Sequence, residues 1–303
     1  MNQVIIIGAG PAGLAAGIYT GRARLNPLIL EKGAVGGQIL LTDNIENYPG
    51  FPDGIPPLEL IEKIKKQAER FGAQIKIDEV IKIEKEDKFW KVIGYNQEYL
   101  TKTVIIATGS RYRNLGLPNE DKLTGKGVSY CATCDGAFFR DREVVVVGGG
   151  DNALTEALFL TRFCKKIYLV HRRNEFRAEK ILQERVLKNE KIEVIWDAVI
   201  EEIIGEERVN EVKIKNLREN KIYLKEIDGL FIAIGTMPNT QFVKDFIDLD
   251  KNEYIEVTHS METFQPGIFA AGDVTSICPQ QMAAAVGSGV IAALSVDHYL
   301  SYK

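Results

Sequence analysis

The sequence predicts an α/β protein in which one parallel-sheet domain is inserted into another. Three observations lead to this fold class. A pattern of strand, glycine-rich turn, helix and strand occurs twice along the chain. The apolar runs in both copies are continuous, which is typical of parallel strands buried on both faces. The chain has 303 residues, enough for about two domains at roughly 150 residues each.

The first copy opens the chain. Its strand, Val4–Ile7, is a run of β-branched residues, and a helix rich in alanine and leucine follows. Between them lies the turn G-A-G-P-A-G, whose fingerprint positions are Gly8, Gly10 and Gly13. Glycine lets such a turn bend tightly and lets the backbone approach a pyrophosphate at the positive end of the helix. A glycine turn in this context predicts a bound dinucleotide.

An acidic residue sets the preference of the first site. The second strand of this copy, Pro27–Leu30, ends at Glu31, which is 23 residues after Gly8. A carboxylate at this position is suited to accept hydrogen bonds from ribose hydroxyls. We therefore expect FAD or NAD at the first glycine turn.

The second copy has the same order of elements. It contains the strand Val144–Val147, the turn G-G-G-D-N-A, a helix over 154–163 and the strand Ile167–Val170. The positions of this turn that correspond to the fingerprint are Gly148, Gly150 and Ala153. Two such units predict two Rossmann-like nucleotide-binding domains. The alternative is a pair of glycine-rich turns that bind nothing.

The second site is basic where the first is acidic. The residue 23 positions after Gly148 is His171, and three arginines follow it, Arg172, Arg173 and Arg177. Cationic side chains there can hold a 2′-phosphate through charge-assisted hydrogen bonds, which favours NADP over NAD. The alternative is a solvated basic patch at the start of a helix.

Three further strands close on glycine. Two of them follow the two copies and end at Gly109 and Gly235, and a third ends in the pair Gly272-Asp273. A helix of small residues is expected to begin near Met282. Asp273 can accept a hydrogen bond from a ribityl hydroxyl, while the helix start faces a phosphate or a flavin carbonyl.

These strands place the second domain inside the first. We expect residues 1–114 and 244–303 to form an FAD-binding domain, and residues 115–243 to form an NADPH-binding domain. The joins are predicted near 115–118 and 237–240, where proline and glycine interrupt the strands.

Two cysteines form a candidate redox pair in the inserted domain. Cys131 and Cys134 are separated by two residues and followed by Asp135. Such a pair can close a reversible disulfide at a helix start, where the pKa of a thiol can also be depressed. The main alternative, half of a zinc site, lacks the second pair of ligands that tetrahedral zinc needs. Asp135 is a candidate acid/base for the thiols, or else a residue that caps the helix or a turn.

Composition limits the partners. A formal net charge of −4 gives no electrostatic reason to expect binding to nucleic acid or to an anionic membrane. No apolar stretch is expected to reach the ~18 residues needed to span a bilayer, and no basic segment of the kind found in signal peptides precedes the first apolar run. Four cysteines are too few for a secreted disulfide scaffold. We expect a soluble, cytoplasmic protein.

The combination of motifs resembles the low-molecular-weight, bacterial-type thioredoxin reductases over essentially the whole chain. The matching motifs are, in order, G-A-G-P-A-G, G-G-Q, E-N-Y-P-G, A-T-G, C-A-T-C-D-G, G-G-G-D-N-A, H-R-R-x-x-F-R-A and G-D. The resemblance implies a homodimer that passes electrons from NADPH through FAD to the cysteine pair. It also implies that the electrons then reach thioredoxin or a thioredoxin-like protein.

The resemblance assigns roles to individual residues. Cys134 would be the thiol nearest the flavin, Cys131 the thiol that attacks the substrate disulfide, and Asp135 the acid/base. The further cofactor-binding positions are Gln38, Asn47, Gly109, Gly272, Asp273 and Gln281. One departure is that Gln280 stands where many relatives carry arginine, so the arginine contact to the flavin is absent.

The position of the dithiol predicts a domain rotation. Cys134 is 14 residues before Gly148, so the nicotinamide and the disulfide belong to one domain. Both must touch the flavin at some stage, and the reduced dithiol must also reach a bulky protein substrate. A rotation about the two joins would let them alternate.

Three alternative functions remain. A ferredoxin–NADP reductase would share both glycine turns but lack the cysteine pair. The flavoprotein subunit of a peroxide-reducing system usually has an additional N-terminal domain and an acidic second site. A flavin-binding redox sensor would need no turnover, and steady NADPH-dependent reduction of a disulfide would exclude it.

Overall fold

The computed structural model describes residues 2–41 and 44–302, and its contacts divide the chain into two compact units. Unit 1 comprises Met1–Leu40, Tyr48–Arg111 and Met237–Lys303, and unit 2 comprises Leu41–Asn47 and Tyr112–Thr236. Apart from the short Leu41–Asn47 segment, the chain passes from unit 1 to unit 2 after Arg111 and returns after Thr236.

The helices and strands follow in chain order. The first part of unit 1 forms β1 (Asn2–Ile7), α1 (Pro11–Arg22), β2 (Leu28–Glu31), α2 (Pro57–Arg70), β3 (Gln74–Ile77), β4 (Val80–Glu86), β5 (Phe89–Gly94) and β6 (Glu98–Ile106). The first crossing carries β7 (Ser110–Tyr112).

Unit 2 forms α3 (Glu120–Leu123), β8 (Val128–Ser129), α4 (Ala132–Asp135), β9 (Glu143–Val147), α5 (Asp151–Leu160), β10 (Lys166–Val170), α6 (Lys180–Leu187), β11 (Ile192–Ile195), β12 (Ala198–Ile204), β13 (Glu211–Asn216), β14 (Ile222–Glu226) and β15 (Gly229–Ile232). The second crossing carries β16 (Thr236–Pro238), and unit 1 is completed by β17 (Ile268–Ala270) and α7 (Met282–Ser301).

The sheet of unit 1 brings its glycine-ended strands side by side. Its order is β3-β2-β1-β6-β5-β4, and β17 also pairs with β6. The pairs of β1 with β2, β1 with β6, and β17 with β6 are all parallel. Ile106 is in register with Ile7 on one side and with Ala270 on the other. The turns that follow β1, β6 and β17 therefore share the carboxyl edge of one sheet.

The sheet of unit 2 repeats this plan. Its order is β11-β10-β9-β15-β8, all parallel, and the antiparallel sheet β12-β13-β14 completes the unit. Val147 at the end of β9 is in register with Val170 and with Ile232. Ser129, the last residue of β8, pairs with Phe231 on β15. The second glycine turn and the segment that follows Ser129 therefore lie at the same carboxyl edge.

The predicted fold class is confirmed. Both glycine turns join a buried parallel strand to a helix, and the strands at Val4–Ile7, Val144–Val147 and Ile167–Val170 all form. The helix predicted over 154–163 begins and ends three residues earlier, at Asp151 and Leu160. It ends where the backbone changes to i→i−3 hydrogen bonds, from the N–H of Arg162 to the carbonyl of Phe159 and from the N–H of Phe163 to the carbonyl of Leu160.

Helix α7 corrects one expectation from composition. Its 20 residues are long and apolar enough to cross a membrane by length and composition alone, although no such stretch was expected. In unit 1 the helix packs so closely on α1 that a Cβ added at Gly289 would lie 2.2 Å from the carbonyl oxygen of Ala12. The opposite face leaves Ile291 and Leu294 exposed.

Candidate active site

The first glycine turn is built for close backbone approach. Gly8 has φ of +104°, and a Cβ at this position would lie 2.3 Å from the carbonyl oxygen of Ala107. A Cβ at Gly13 would lie 1.9 Å from the carbonyl oxygen of Gly8. Gly10 caps α1 with no side-chain hydrogen bond, and its hypothetical Cβ meets nothing nearer than 3.9 Å. The inner side of the turn is therefore packed against backbone atoms, whereas its outer side has free space, as a site for a pyrophosphate at a helix start requires.

Glu31 is tied to this turn. Its carboxylate accepts the backbone N–H of Ala9 at 2.8 Å and that of Gly33 at 3.0 Å. A carboxylate has about four lone-pair positions, so further hydrogen bonds can still be accepted. The structure therefore places Glu31 beside the turn, where the spacing of 23 residues predicted it.

Two buried oxygens in unit 1 lack partners. Among the described residues, Oε1 of Gln38 and Oδ1 of Asp273 are buried and make no hydrogen bond. Burial raises the pKa of Asp273 to about 6. An unpaired buried oxygen is costly unless a bound group supplies a donor, so both residues fit contact with a ligand that carries hydroxyl or N–H groups.

The Gly272-Asp273 pair lies against the first turn. Gly272 has φ of +77°, and a Cβ there would lie 2.9 Å from the Cβ of Ala12 in the first turn of α1. The N–H of Gly272 donates to the hydroxyl of Ser288 on α7 at 2.8 Å. Two motifs that are about 260 residues apart in sequence thus form one surface.

The remaining predicted flavin contacts occupy different surroundings. Gly109 has φ of +65°, and its carbonyl accepts the N–H of Asn239 at 3.0 Å. Gln281 is the N-cap residue of α7. Asn47 is exposed and belongs to the 41–47 segment that groups with unit 2. Their contact with a flavin stays a prediction.

The second glycine turn has the same construction in unit 2. Gly148 has φ of +153°, and a Cβ there would lie 2.5 Å from both the Cβ of Ala153 and the carbonyl oxygen of Ala233. Gly150 caps α5 without a side-chain hydrogen bond and has open space where a Cβ would stand. This turn is therefore also closed inward and open outward.

The basic cluster divides into a buried imidazole and three exposed arginines. The ring of His171 is buried and occupies the space that a side chain at Gly149 would need. Burial, followed by the nearby Arg177, Arg173 and Arg172, lowers the pKa of His171. The neutral ring supports the turn, while the arginines supply positive charge. The backbone N–H of Arg177 donates to the carbonyl of Gly149 at 2.8 Å, which fixes this arginine beside the turn.

The cysteine pair is bonded at the start of a short helix. Cys131 and Cys134 form a disulfide with their Cα atoms 5.3 Å apart. Cys131 is the N-cap residue of α4, and its sulfur accepts the backbone N–H of Cys134 at 3.2 Å. Both cysteines are half-buried. An N–H directed at this sulfur stabilises a thiolate once the disulfide is reduced.

Ser129 joins the neighbouring carboxylate to the cysteine turn. Its hydroxyl donates to Oδ2 of Asp135 at 2.6 Å and accepts the N–H of Cys131 at 3.1 Å. No periodicity or spacing in the sequence points to this serine. Its position becomes evident only from the pairing of β8 with β15.

Glu156 is a second carboxyl group that sequence reasoning missed. Burial raises its pKa to about 7, and Asp135 adds to the rise, whereas the N–H of Ala132 and the side chain of Asn152 oppose it by donating hydrogen bonds. Within the described residues its Oε2 is buried without a partner. Glu156 lies on α5, so the helix that begins at the second glycine turn also contacts the dithiol helix α4.

The two adjacent phenylalanines that follow the dithiol differ in their exposure to solvent. Phe139 packs edge-on against Phe231 at 5.1 Å between ring centroids, within the core of unit 2. Phe138 is exposed. Only Phe138 is therefore available at the surface beside the dithiol.

Comparison with known proteins gives consistent matches over the whole chain. The sequence model of the family described as pyridine nucleotide-disulphide oxidoreductase matches residues 2–289. A thioredoxin reductase of Streptomyces coelicolor is 44% identical, with 99% of this chain and 94% of that protein covered. A thioredoxin reductase of Rickettsia prowazekii is 45% identical, with 99% and 98% covered.

Solved structures agree with the sequence matches. The thioredoxin reductase of Streptococcus pyogenes is 45% identical with a TM-score of 0.95, covering 100% of this chain and 99% of that one. The thioredoxin reductase of Lactococcus lactis, solved in a state termed the FR conformation, is 41% identical with a TM-score of 0.69, covering 100% of both chains. The chain therefore belongs to the pyridine nucleotide-disulphide oxidoreductases and, within them, to the thioredoxin reductase family.

Proposed function

We propose that this chain is an NADPH-dependent flavoprotein that reduces the disulfide of thioredoxin or of a thioredoxin-like protein through Cys131 and Cys134. One observation carries the proposal. In unit 2 a bonded cysteine pair lies at the same carboxyl edge of the sheet as a glycine turn flanked by arginines. The relatives named thioredoxin reductase support the choice of substrate.

Unit 1 is proposed to hold FAD. The Gly8–Gly13 turn would receive the pyrophosphate, Glu31 would accept ribose hydroxyls, and the unpaired oxygen of Asp273 would accept a ribityl hydroxyl. When bound, FAD would accept a hydride and pass two electrons on to a disulfide. The residues present fit this group, because two buried oxygens need donors that the described part of the chain does not provide.

Unit 2 is proposed to hold NADPH. The Gly148–Ala153 turn would receive its pyrophosphate, and the three exposed arginines would hold the 2′-phosphate. A carboxylate at position 171 would repel that phosphate. The neutral His171 avoids this repulsion and fills the space under Gly149.

The cysteines would divide the thiol chemistry between them. The Cys131 thiolate, stabilised by the N–H of Cys134, would attack the substrate disulfide and form a mixed disulfide. Cys134 would then attack the sulfur of Cys131 and release the reduced substrate. Asp135 would accept the proton of Cys134 and return it to the departing thiolate.

Rotation of unit 2 relative to unit 1 is part of the proposal. Apart from the short Leu41–Asn47 segment, the chain joins the two units at Arg111–Tyr112 and Thr236–Met237. Solved relatives of similar identity and full coverage give TM-scores of 0.95 and 0.69. Chains with the same two units in different arrangements would produce such a spread, which supports alternating contact of nicotinamide and dithiol with the flavin.

We also propose that two chains form a homodimer through α7. The helix buries one face in unit 1 and leaves Ile291 and Leu294 exposed on the other, and burial of such a face stabilises association. Leu294→Glu should convert a dimer to a monomer in light scattering at micromolar concentration. An unchanged mass would show that α7 is not the interface.

We place the enzyme in the cytoplasm, where dithiols are kept reduced.

A spectral titration tests the proposal. The purified protein should be yellow, and anaerobic NADPH should bleach its flavin band fully at about two equivalents per chain, because FAD and the disulfide each accept two electrons. NADH should require a large excess. Addition of oxidised thioredoxin should restore the band. A colourless protein that rebinds no FAD, or a flavin that NADPH does not reduce, would refute the proposed function.

A further inference from the structure

Ser129 occupies a fixed position beside the dithiol. It is the last residue of β8, is 4% exposed, and pairs with Phe231 on the buried strand β15. The backbone therefore holds this serine rigidly at the carboxyl edge of the sheet. Its side chain points to the cysteine turn, because its hydroxyl contacts both Cys131 and Asp135.

The Ser129 hydroxyl donates its single hydrogen to the carboxylate of Asp135. A serine hydroxyl donates once and can accept twice. Ser129 donates to Oδ2 of Asp135 at 2.6 Å, and the carbonyl of Cys131, at 3.4 Å, is a poorer acceptor. The N–H of Cys131 donates to the same hydroxyl at 3.1 Å. One oxygen atom thus connects the acid to the residue that begins the cysteine turn.

The next residue anchors the segment from its other side. Tyr130 is buried, its ring stacks on Tyr112 at 4.9 Å, and its hydroxyl donates to Glu120 at 2.8 Å. The carboxylate of Glu120 also accepts three backbone N–H groups from the 115–117 segment. The backbone at Ser129 therefore cannot shift without disturbing this buried network.

We propose that Ser129 is a positioning residue of the dithiol site, whose hydroxyl holds the carboxyl group of Asp135 at the cysteine turn for proton transfer. The inference rests on the proposed function, because it concerns the thiol–disulfide step of that reaction.

The step balances with one proton passed through Asp135. The Cys131 thiolate attacks one substrate sulfur, forming a mixed disulfide, and the bonding pair of the substrate disulfide leaves on the other sulfur as a thiolate. Cys134 transfers its thiol proton to Asp135 and attacks the Cys131 sulfur, which expels the second substrate thiolate and restores the Cys131–Cys134 disulfide. Asp135 returns the proton to a departing thiolate, so two electrons leave the dithiol and the net charge is unchanged.

The test compares Ser129→Ala, Ser129→Thr, Asp135→Asn and the double variant Ser129→Ala/Asp135→Asn. The rate at which oxidised thioredoxin reoxidises the NADPH-reduced holoenzyme is measured by anaerobic stopped flow from pH 5 to 9. The matched control is Thr103→Val, which removes a buried hydroxyl whose 2.8 Å hydrogen bond to Gln3 lies in unit 1. Flavin reduction by NADPH serves as the second readout in each variant.

Ser129→Ala should slow reoxidation about tenfold, the loss expected for one hydrogen bond to a charged group, and should give the pH profile of Asp135→Asn. The double variant should be no slower than Asp135→Asn, because Ser129 acts through Asp135. Ser129→Thr should restore the rate to within about threefold, while Thr103→Val and all rates of flavin reduction stay unchanged.

Equal rates for Ser129→Ala and the wild type, or losses that multiply in the double variant, would overturn the inference. If Ser129→Ala does not retain FAD, the isosteric pair Ser129→Thr and Ser129→Val carries the same comparison. Equal rates in that pair would overturn it too. Failure of the wild type itself to react with thioredoxin would instead refute the proposed function.

Discussion

Removal of two arginines beside the second glycine turn should change the choice of nicotinamide donor. Arg172 and Arg177 are exposed, and the backbone of Arg177 is bonded to Gly149. A hydrogen bond to a charged group contributes about 1.5–3 kcal/mol, and exposure to solvent moves both arginines to the lower end of that range. Arg172→Ala/Arg177→Ala should therefore lose about 3 kcal/mol toward the 2′-phosphate, or about two decades in affinity.

The assay is steady-state reduction of thioredoxin with each donor. The double variant should raise the KM for NADPH about a hundredfold and leave kcat/KM for NADH within about twofold. The matched control is Arg162→Ala, an exposed arginine of unit 2 that follows the far end of α5. Ten helical residues separate it from the turn by about 15 Å. Equal losses for NADPH and NADH, or a loss in the control, would refute the phosphate assignment.

Three further predictions follow from the site. Cys134→Ser should retain flavin reduction by NADPH and lose thioredoxin reduction, and turnover at the wild-type rate would remove the dithiol from the mechanism. Gly150→Ala should weaken NADPH binding without lowering Tm, because the added Cβ would stand in open space on the outer side of the turn. Gly148→Ala should lower Tm, because its added Cβ would lie 2.5 Å from a backbone oxygen. Measurements of Tm and of NADPH binding by titration would distinguish the two variants. The pKa of Glu156 is raised from 4.5 to about 7, so the folded state retains a proton that the unfolded state loses, and stability falls as pH rises from 4.5 to 7. Glu156→Gln should therefore stabilise the protein by at most about 3 kcal/mol above pH 7 and by almost nothing below pH 4.5, and an equal gain in Tm at pH 4 and pH 8 would contradict this cause.

The sequence predicted those parts of the fold whose causes are local. Val4–Ile7 and Val144–Val147 are continuous β-branched runs, so their burial as parallel strands follows from composition alone. Glu31 was predicted because the spacing from strand to glycine turn to strand is fixed by the βαβ unit. The structure places it against the turn, with hydrogen bonds to Ala9 and Gly33.

The parts that sequence analysis missed depend on contacts distant in the chain. Ser129 gains its role because β8 pairs with β15, about 100 residues later, and a lone serine carries no periodic signal. Glu156 reaches the dithiol because α5 packs on α4. The burial of His171 could have been predicted locally. The second turn carries a glycine at position 149, and the absence of a side chain there leaves the space that the imidazole of His171 fills.

The most direct test of the central claim is a single-turnover experiment with oxidised thioredoxin. The wild-type holoenzyme is reduced anaerobically with one equivalent of NADPH, mixed with one equivalent of thioredoxin, and followed by flavin absorbance and by free thiols. We predict full recovery of the oxidised flavin band with the appearance of two thioredoxin thiols, and no thiols when Cys131 or Cys134 is replaced by serine. Recovery of the band without thioredoxin thiols, or thiol formation in either serine variant at the wild-type rate, would contradict the account.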